Sequence, residues 1–218
     1  MDTLYIFGDS FADPSSNISD PYAWTNRLAD NYKVKNFALN GTGPDWSLDL
    51  FLKQIENLNA DKTNYCIFCI SDIYRLNMKD MEIEDQWRTW DIISNLWHGT
   101  NPNTIKKILK KYKKFRLPLQ FLHKHYFSHS TYERTEIIKM ILLLKFHADK
   151  FKKIIVLPCF DDVGDEYAQK LNSKNFFILN EALVNKYHND TYFRIPNHLM
   201  PVQHKLLFNF VSEKLKSD

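Results

Sequence analysis

Residues 3–11, TLYIFGDSF, decide how this chain is read. Thr3 to Phe7 is a short apolar strand candidate, and a glycine, an acid and a serine follow it at once. Short, nearly continuous apolar strands are those buried on both faces of a parallel sheet. A serine just behind such a strand stands at the carboxyl edge of the sheet, where open α/β folds hold their ligands. Taken alone, Gly8-Asp9-Ser10 is equally a turn or a helix N-cap, so the rest of the chain has to supply the context.

Outward from this stretch the same rhythm recurs. Asp20 and Pro21 open a helix running to about Asn31, and Val34 to Leu39 reads as a second strand. Pro44 and Asp45 precede a helical pattern over Trp46 to Leu58, with Leu48, Phe51, Leu52 and Ile55 at helical spacing. Cys66 to Ile70, Lys153 to Cys159 and Phe176 to Leu179 supply three more strands. A helix over Pro201 to Leu215, with Leu206, Leu207, Phe210 and Val211 on one face, closes the chain. Strands alternating with helices predict a parallel sheet covered on both sides. The fold class expected is α/β: a flavodoxin-like three-layer α/β/α sandwich with a five-stranded parallel sheet. Residues 73–150 interrupt the rhythm. They hold no convincing strand, but carry Trp87, Trp90, Trp97 and a strong helix candidate at Glu133–Phe151. They read as a mainly helical insertion in a single domain spanning 1–218, forming part of a substrate wall.

Composition sets the outer bounds. The chain has 218 residues, 44% hydrophobic and 25% charged, with a net charge of +3. That length can bury a core without disulfides or metals. That charge is too small to argue for nucleic acid. Residues 105–116, IKKILKKYKKFR, nevertheless place seven basic residues together with no acid. They read as a surface helix, or as a contact for an anionic polymer or lipid surface running from Lys106 to Arg116. Apolar runs such as Met140 to Leu144 are too short to span a membrane, and no basic, cleavable leader is visible. Cys66, Cys69 and Cys159 are read as reduced, buried thiols of a cytoplasmic protein. The Cys66/Cys69 pair lies on a strand, and an i,i+3 spacing there points to opposite faces, against a redox or metal pair. His123, His125 and His129 match no firm ligand spacing, so no metal is expected.

Three other segments fall at the same sheet edge as Ser10. They are Asn36 to Pro44, with Gly41 and Gly43; Ser71-Asp72 after the third strand; and Asn197-His198 before the last helix. Acyl transfer needs such parts: a nucleophile, a base for its proton and donors for the developing oxyanion.

On these residues the sequence resembles the SGNH (GDSL-type) hydrolases. Their serine motif is matched by Gly8-Asp9-Ser10 and their Asn-x-x-x-x-Gly context by Asn36 to Gly41. Their Gly-x-Asn-Asp motif falls on Cys69-Ile70-Ser71-Asp72, and their histidine on His198, with His204 further along the helix. The resemblance covers both ends and the core strands, not residues 73–150. It implies Ser10 as nucleophile, His198 as base, and an oxyanion site from Ser10, Gly41 and Ser71, with Gly43 competing with Gly41. Two departures stand out. Ser71 replaces the family's Asn, and Ile195 stands where the family places the Asp three residues before its His. Asp190 is the nearest upstream acid; otherwise a backbone carbonyl near Ile195 orients His198 and leaves a dyad.

The resemblance further implies a serine esterase acting through an acyl-enzyme on short acyl esters, with O-acetyl groups of a carbohydrate preferred. It needs no cofactor. The rivals are a polysaccharide O-acyltransferase using the same serine and histidine, with acetyl-CoA as a possible donor, and a catalytically silent binding protein of the same fold.

Overall fold

Five short strands form one sheet, every pair parallel, in the order β2-β1-β3-β4-β5. They are β1 (Thr3–Phe7), β2 (Lys33–Asn36), β3 (Asn64–Ile70), β4 (Lys153–Pro158) and β5 (Phe176–Ile178). The computed structural model describes residues 1–14, 23–40, 42–58, 63–73, 132–187 and 199–217. Its helices there are α1 (Trp24–Arg27), α2 (Pro44–Ile55), α3 (Tyr132–Phe146), α4 (Asp165–Leu171), α5 (Leu183–Tyr187) and α6 (Pro201–Lys216). Both the sandwich and the flavodoxin-like strand order match the expectation from sequence.

Strand alternation builds two cores. From β1 and β3, Tyr5, Phe7, Cys66, Phe68 and Ile70 point to one face, where Phe51 and Ile55 of α2 and Ile137, Ile141 and Leu144 of α3 cover them. Leu4, Ile6, Tyr65, Ile67 and Cys69 point to the other, under Trp24 and Leu28 and under Leu207, Val211 and Leu215 of α6. Cys66 and Cys69 therefore lie on opposite faces, both buried and unbridged. Burial, and then the neighbouring Cys69, pushes the Cys66 thiol pKa well up, so it stays protonated and unreactive.

Several element ends differ from the sequence reading. β2 stops at Asn36 and does not run on to Leu39, because the Asn36 side chain accepts the Ala38 N–H at 2.9 Å and turns the chain. α2 starts earlier, with Pro44 at its first position, where a missing N–H costs nothing. On α6 the buried stripe is His204, Leu207, Val211 and Leu215, while Leu206 is half exposed. Successive residues on a helix lie about 100° apart, so Leu206 and Leu207 cannot both face the sheet. Within the segment read as an insertion, α3 is a core layer of the sandwich. The tryptophans at 87, 90 and 97, the basic run at Lys106–Arg116 and the histidines at 123, 125 and 129 lie outside the described residues.

The amino end of the sheet is held by a buried lysine. Lys153, at the start of β4, donates to the Lys214 carbonyl at 2.9 Å, to the Ser217 hydroxyl at 3.0 Å and to the Ser217 carbonyl. Its charge thus meets the carbonyl end of α6, which the helix dipole favours.

At the carboxyl end, β1 runs into Gly8. Its φ is +152°, and a Cβ there would stand 2.6 Å from Cys69 Cβ. Only glycine lets β1 end this close to β3. Gly8→Ala therefore combines backbone strain with overpacking and should lower the unfolding free energy by about 3 kcal/mol. Urea unfolding measures this, and a loss below about 1 kcal/mol would show that the neighbours give way freely.

Candidate active site

The sheet order creates a switch point between β1 and β3. The chain leaving β1 feeds α1 on one face, while the chain leaving β3 returns through α3 on the other. At such a switch point doubly wound sheets place their ligand crevice, at the carboxyl edge. Five polar residues are buried at that edge: Asp9, Ser10, Asp13, Ser71 and Asp72. Burying so many polar groups is unfavourable unless hydrogen bonds compensate it.

The Ser10 turn is closed by backbone bonds. The Asp9 carbonyl accepts from Ala12 N–H at 3.0 Å and Asp13 N–H at 2.9 Å. The Asp9 carboxylate accepts from Phe11 N–H at 3.1 Å. Asp9 thus shapes the turn that presents Ser10.

A second loop is stitched to this turn. Asn36 Nδ2 donates to the Ala12 carbonyl at 2.9 Å, Asn40 N–H to the Asp13 carboxylate at 2.8 Å, and Leu39 N–H to the Gly8 carbonyl at 3.1 Å. The Thr42 hydroxyl donates to the Leu39 carbonyl at 2.8 Å. Gly41 itself lies outside the described residues, but both of its neighbours are held. Asn36, first noticed as part of a motif, is the main clamp. Asp13 was missed by the sequence reading; the Asp13-Pro14 pair, a common turn signal, is the cue that could have found it.

Ser71 directly follows Ile70, the last residue of β3, as expected, and its hydroxyl donates to the Thr42 carbonyl at 3.1 Å. A hydroxyl has one proton to give. In this arrangement it fastens the third loop to the second, and serving an oxyanion would require it to let go of Thr42. Asp190 and His198 lie outside the described residues. Among the described residues, no group of His, Cys, Asp or Glu is arranged to hold a metal ion. No described helix is long and apolar enough to cross a membrane.

His204, the second histidine of the C-terminal segment, does not sit free at the edge. It is buried on α6, and its Nδ1 accepts the Trp24 backbone N–H at 3.3 Å. Burial, and then the Arg27 charge, lowers its pKa to about 4, partly opposed by the Leu199 carbonyl. A neutral ring agrees with its role as acceptor. Because the folded pKa lies below the ordinary 6.5, the unfolded chain binds the proton first as pH falls. The stabilisation is complete above pH 6.5, declines towards pH 4 and is constant below, for a total of about 3 kcal/mol. His204→Gln should lack this share of the acid sensitivity. Urea midpoints at pH 7.5, 5.5 and 4.5 test it, and parallel losses in both proteins would rule it out.

No family model and no curated protein matches the chain. Solved structures do match over nearly its whole length. A member of the lipolytic protein G-D-S-L family from Veillonella parvula superposes with a TM-score of 0.53 at 12% identity, covering 97% of this chain and 96% of that one. Axe2, an acetylxylan esterase from Geobacillus stearothermophilus, gives 0.50 at 14% identity, covering 100% and 95%. At such identities the likeness is one of fold: this chain has the three-layer α/β/α architecture of a G-D-S-L protein.

Proposed function

We propose that the chain is a serine esterase working through an acyl-enzyme, with short acyl esters, above all O-acetyl groups on a carbohydrate, as substrates. The observation that carries this reading is the placement of Ser10. It stands at the β1/β3 switch point, in a turn locked by Asp9 and tied to the flanks of Gly41. The likeness to Axe2, an acetylxylan esterase, supports the preference for acetylated sugars.

In this mechanism Ser10 Oγ attacks the ester carbonyl and His198 takes its proton. Backbone N–H groups of Ser10 and Gly41 receive the charge that develops on the carbonyl oxygen. The ester C–O bond then breaks, and His198 returns the proton to the leaving sugar hydroxyl. Water, deprotonated by His198, attacks the acyl-Ser10 carbonyl; the acyl–Oγ bond breaks, the acid leaves and His198 returns the proton to Ser10 Oγ. Asp190 or a backbone carbonyl orients the imidazole. No cofactor enters these steps.

One observation favours a different reading, a silent binding protein: the Ser71 proton is committed to Thr42. Loss of one oxyanion donor costs on the order of 10²–10³ in rate, which weakens catalysis without abolishing it.

A single comparison decides between them. Wild type should hydrolyse p-nitrophenyl acetate, and Ser10→Ala should lose at least about a thousandfold in kcat. Equal turnover by the two proteins defeats the esterase reading. Turnover that appears only with acetyl-CoA and a sugar acceptor would move the assignment to the acyltransferase.

A further inference from the structure

The Ser10 turn and α6 come from opposite ends of the chain, and something must join the β1 loop to that helix. One tryptophan does this. Its indole Nε1–H donates to the Phe11 carbonyl at 2.7 Å, one residue past Ser10. Its backbone N–H donates to His204 Nδ1 at 3.3 Å. Leu199, which directly follows His198 in sequence, is buried just before α6. Phe11, Trp24, Leu199 and His204 are all buried, so water does not compete for these bonds.

Local sequence alone would not hold this arrangement. Trp24 is the first residue of α1, and its N–H is among those a helix leaves unpaired. The N-cap residue is Ala23, which has no side-chain acceptor. The acceptor comes instead from 180 residues away, on α6. His204 Nε2 has no hydrogen-bond partner of ordinary geometry among the described residues, a cost that a leucine filling the same space would not carry. A leucine would, however, leave Trp24 unpaired and α6 uncoupled from the nucleophile turn.

We propose that Trp24 and His204 are positioning residues which hold the Ser10 turn in place against α6. This rests on the reading of Ser10 and His198 as nucleophile and base. Neither residue is placed against the substrate: Trp24 acts through the backbone next to Ser10, and His204 acts through Trp24.

The experiment compares wild type with Trp24→Phe, His204→Leu and His204→Gln. The final stoichiometry of fluorophosphonate labelling counts folded sites, and kcat per labelled site and KM are read with p-nitrophenyl acetate. Trp24→Phe and His204→Leu should each lose about tenfold in kcat per site with KM within about twofold, since small misplacements of reacting groups act on the chemical step. His204→Gln, whose amide oxygen can still accept the Trp24 N–H, should recover most of the loss. Unchanged kcat per site in the first two variants overturns the proposal. So does a defect confined to labelling stoichiometry or thermal stability, since that is folding alone. A wild type without Ser10-dependent turnover or labelling defeats the esterase reading, and the positioning role with it; that failure shows in the wild type, whereas failure of the positioning role alone shows only in the variants.

Discussion

Glycine at position 8 is the constraint on which the carboxyl edge depends. β1 and β3 meet there closely enough that a single methyl group would overlap Cys69. Any other residue would force the strands apart or turn the chain elsewhere. The approach brings the loops after β1 and β3 to one point, and there the connections part to opposite faces of the sheet. Doubly wound sheets place their ligand crevice at such a point, before any side chain is considered. The residues after Gly8 inherit the position.

Holding polar loops at a buried edge requires that their hydrogen bonds be met internally. The Ser10 turn, the 36–42 segment and Ser71 meet them largely from one another. No one loop is stable there alone; each supplies acceptors or donors to the next. This reciprocity explains why Asn36 ends β2 and clamps Ala12 at the same time: its two amide atoms serve two different loops. It also gives Ser71 work that needs no reaction. A longer asparagine side chain would have carried its donors further from the backbone, whereas the serine hydroxyl reaches the Thr42 carbonyl directly.

The two ends of the last helix are anchored by different physics. At its carboxyl end, the Lys153 ammonium meets carbonyl groups, where charge and dipole agree. At its amino end, a neutral histidine accepts an N–H from another helix, which requires that burial keep the ring uncharged. The second anchor weakens as the pH falls towards 4, where the ring takes up a proton.

Much of this was legible in the chain itself. Strands as apolar as Cys66–Ile70 cannot face water on either side, so a covered parallel sheet followed from hydrophobicity alone, and Gly8-Asp9-Ser10 marked its carboxyl edge. The opposite facing of Cys66 and Cys69 followed from the two-residue period of a strand. What the sequence did not determine was which polar groups pair across loops. The Asn36–Ala12, Asn40–Asp13, Ser71–Thr42 and His204–Trp24 bonds join residues between 24 and 180 positions apart, and local pattern holds no record of such distances. The α6 stripe was misread for a different reason: Leu206 and Leu207 lie about 100° apart around the helix, and only Leu207 faces the sheet. Sequence thus determined the strands and the edge at which Ser10 stands. Only the tertiary structure decided how that edge is held, because its hydrogen bonds form between segments that the fold alone brings together.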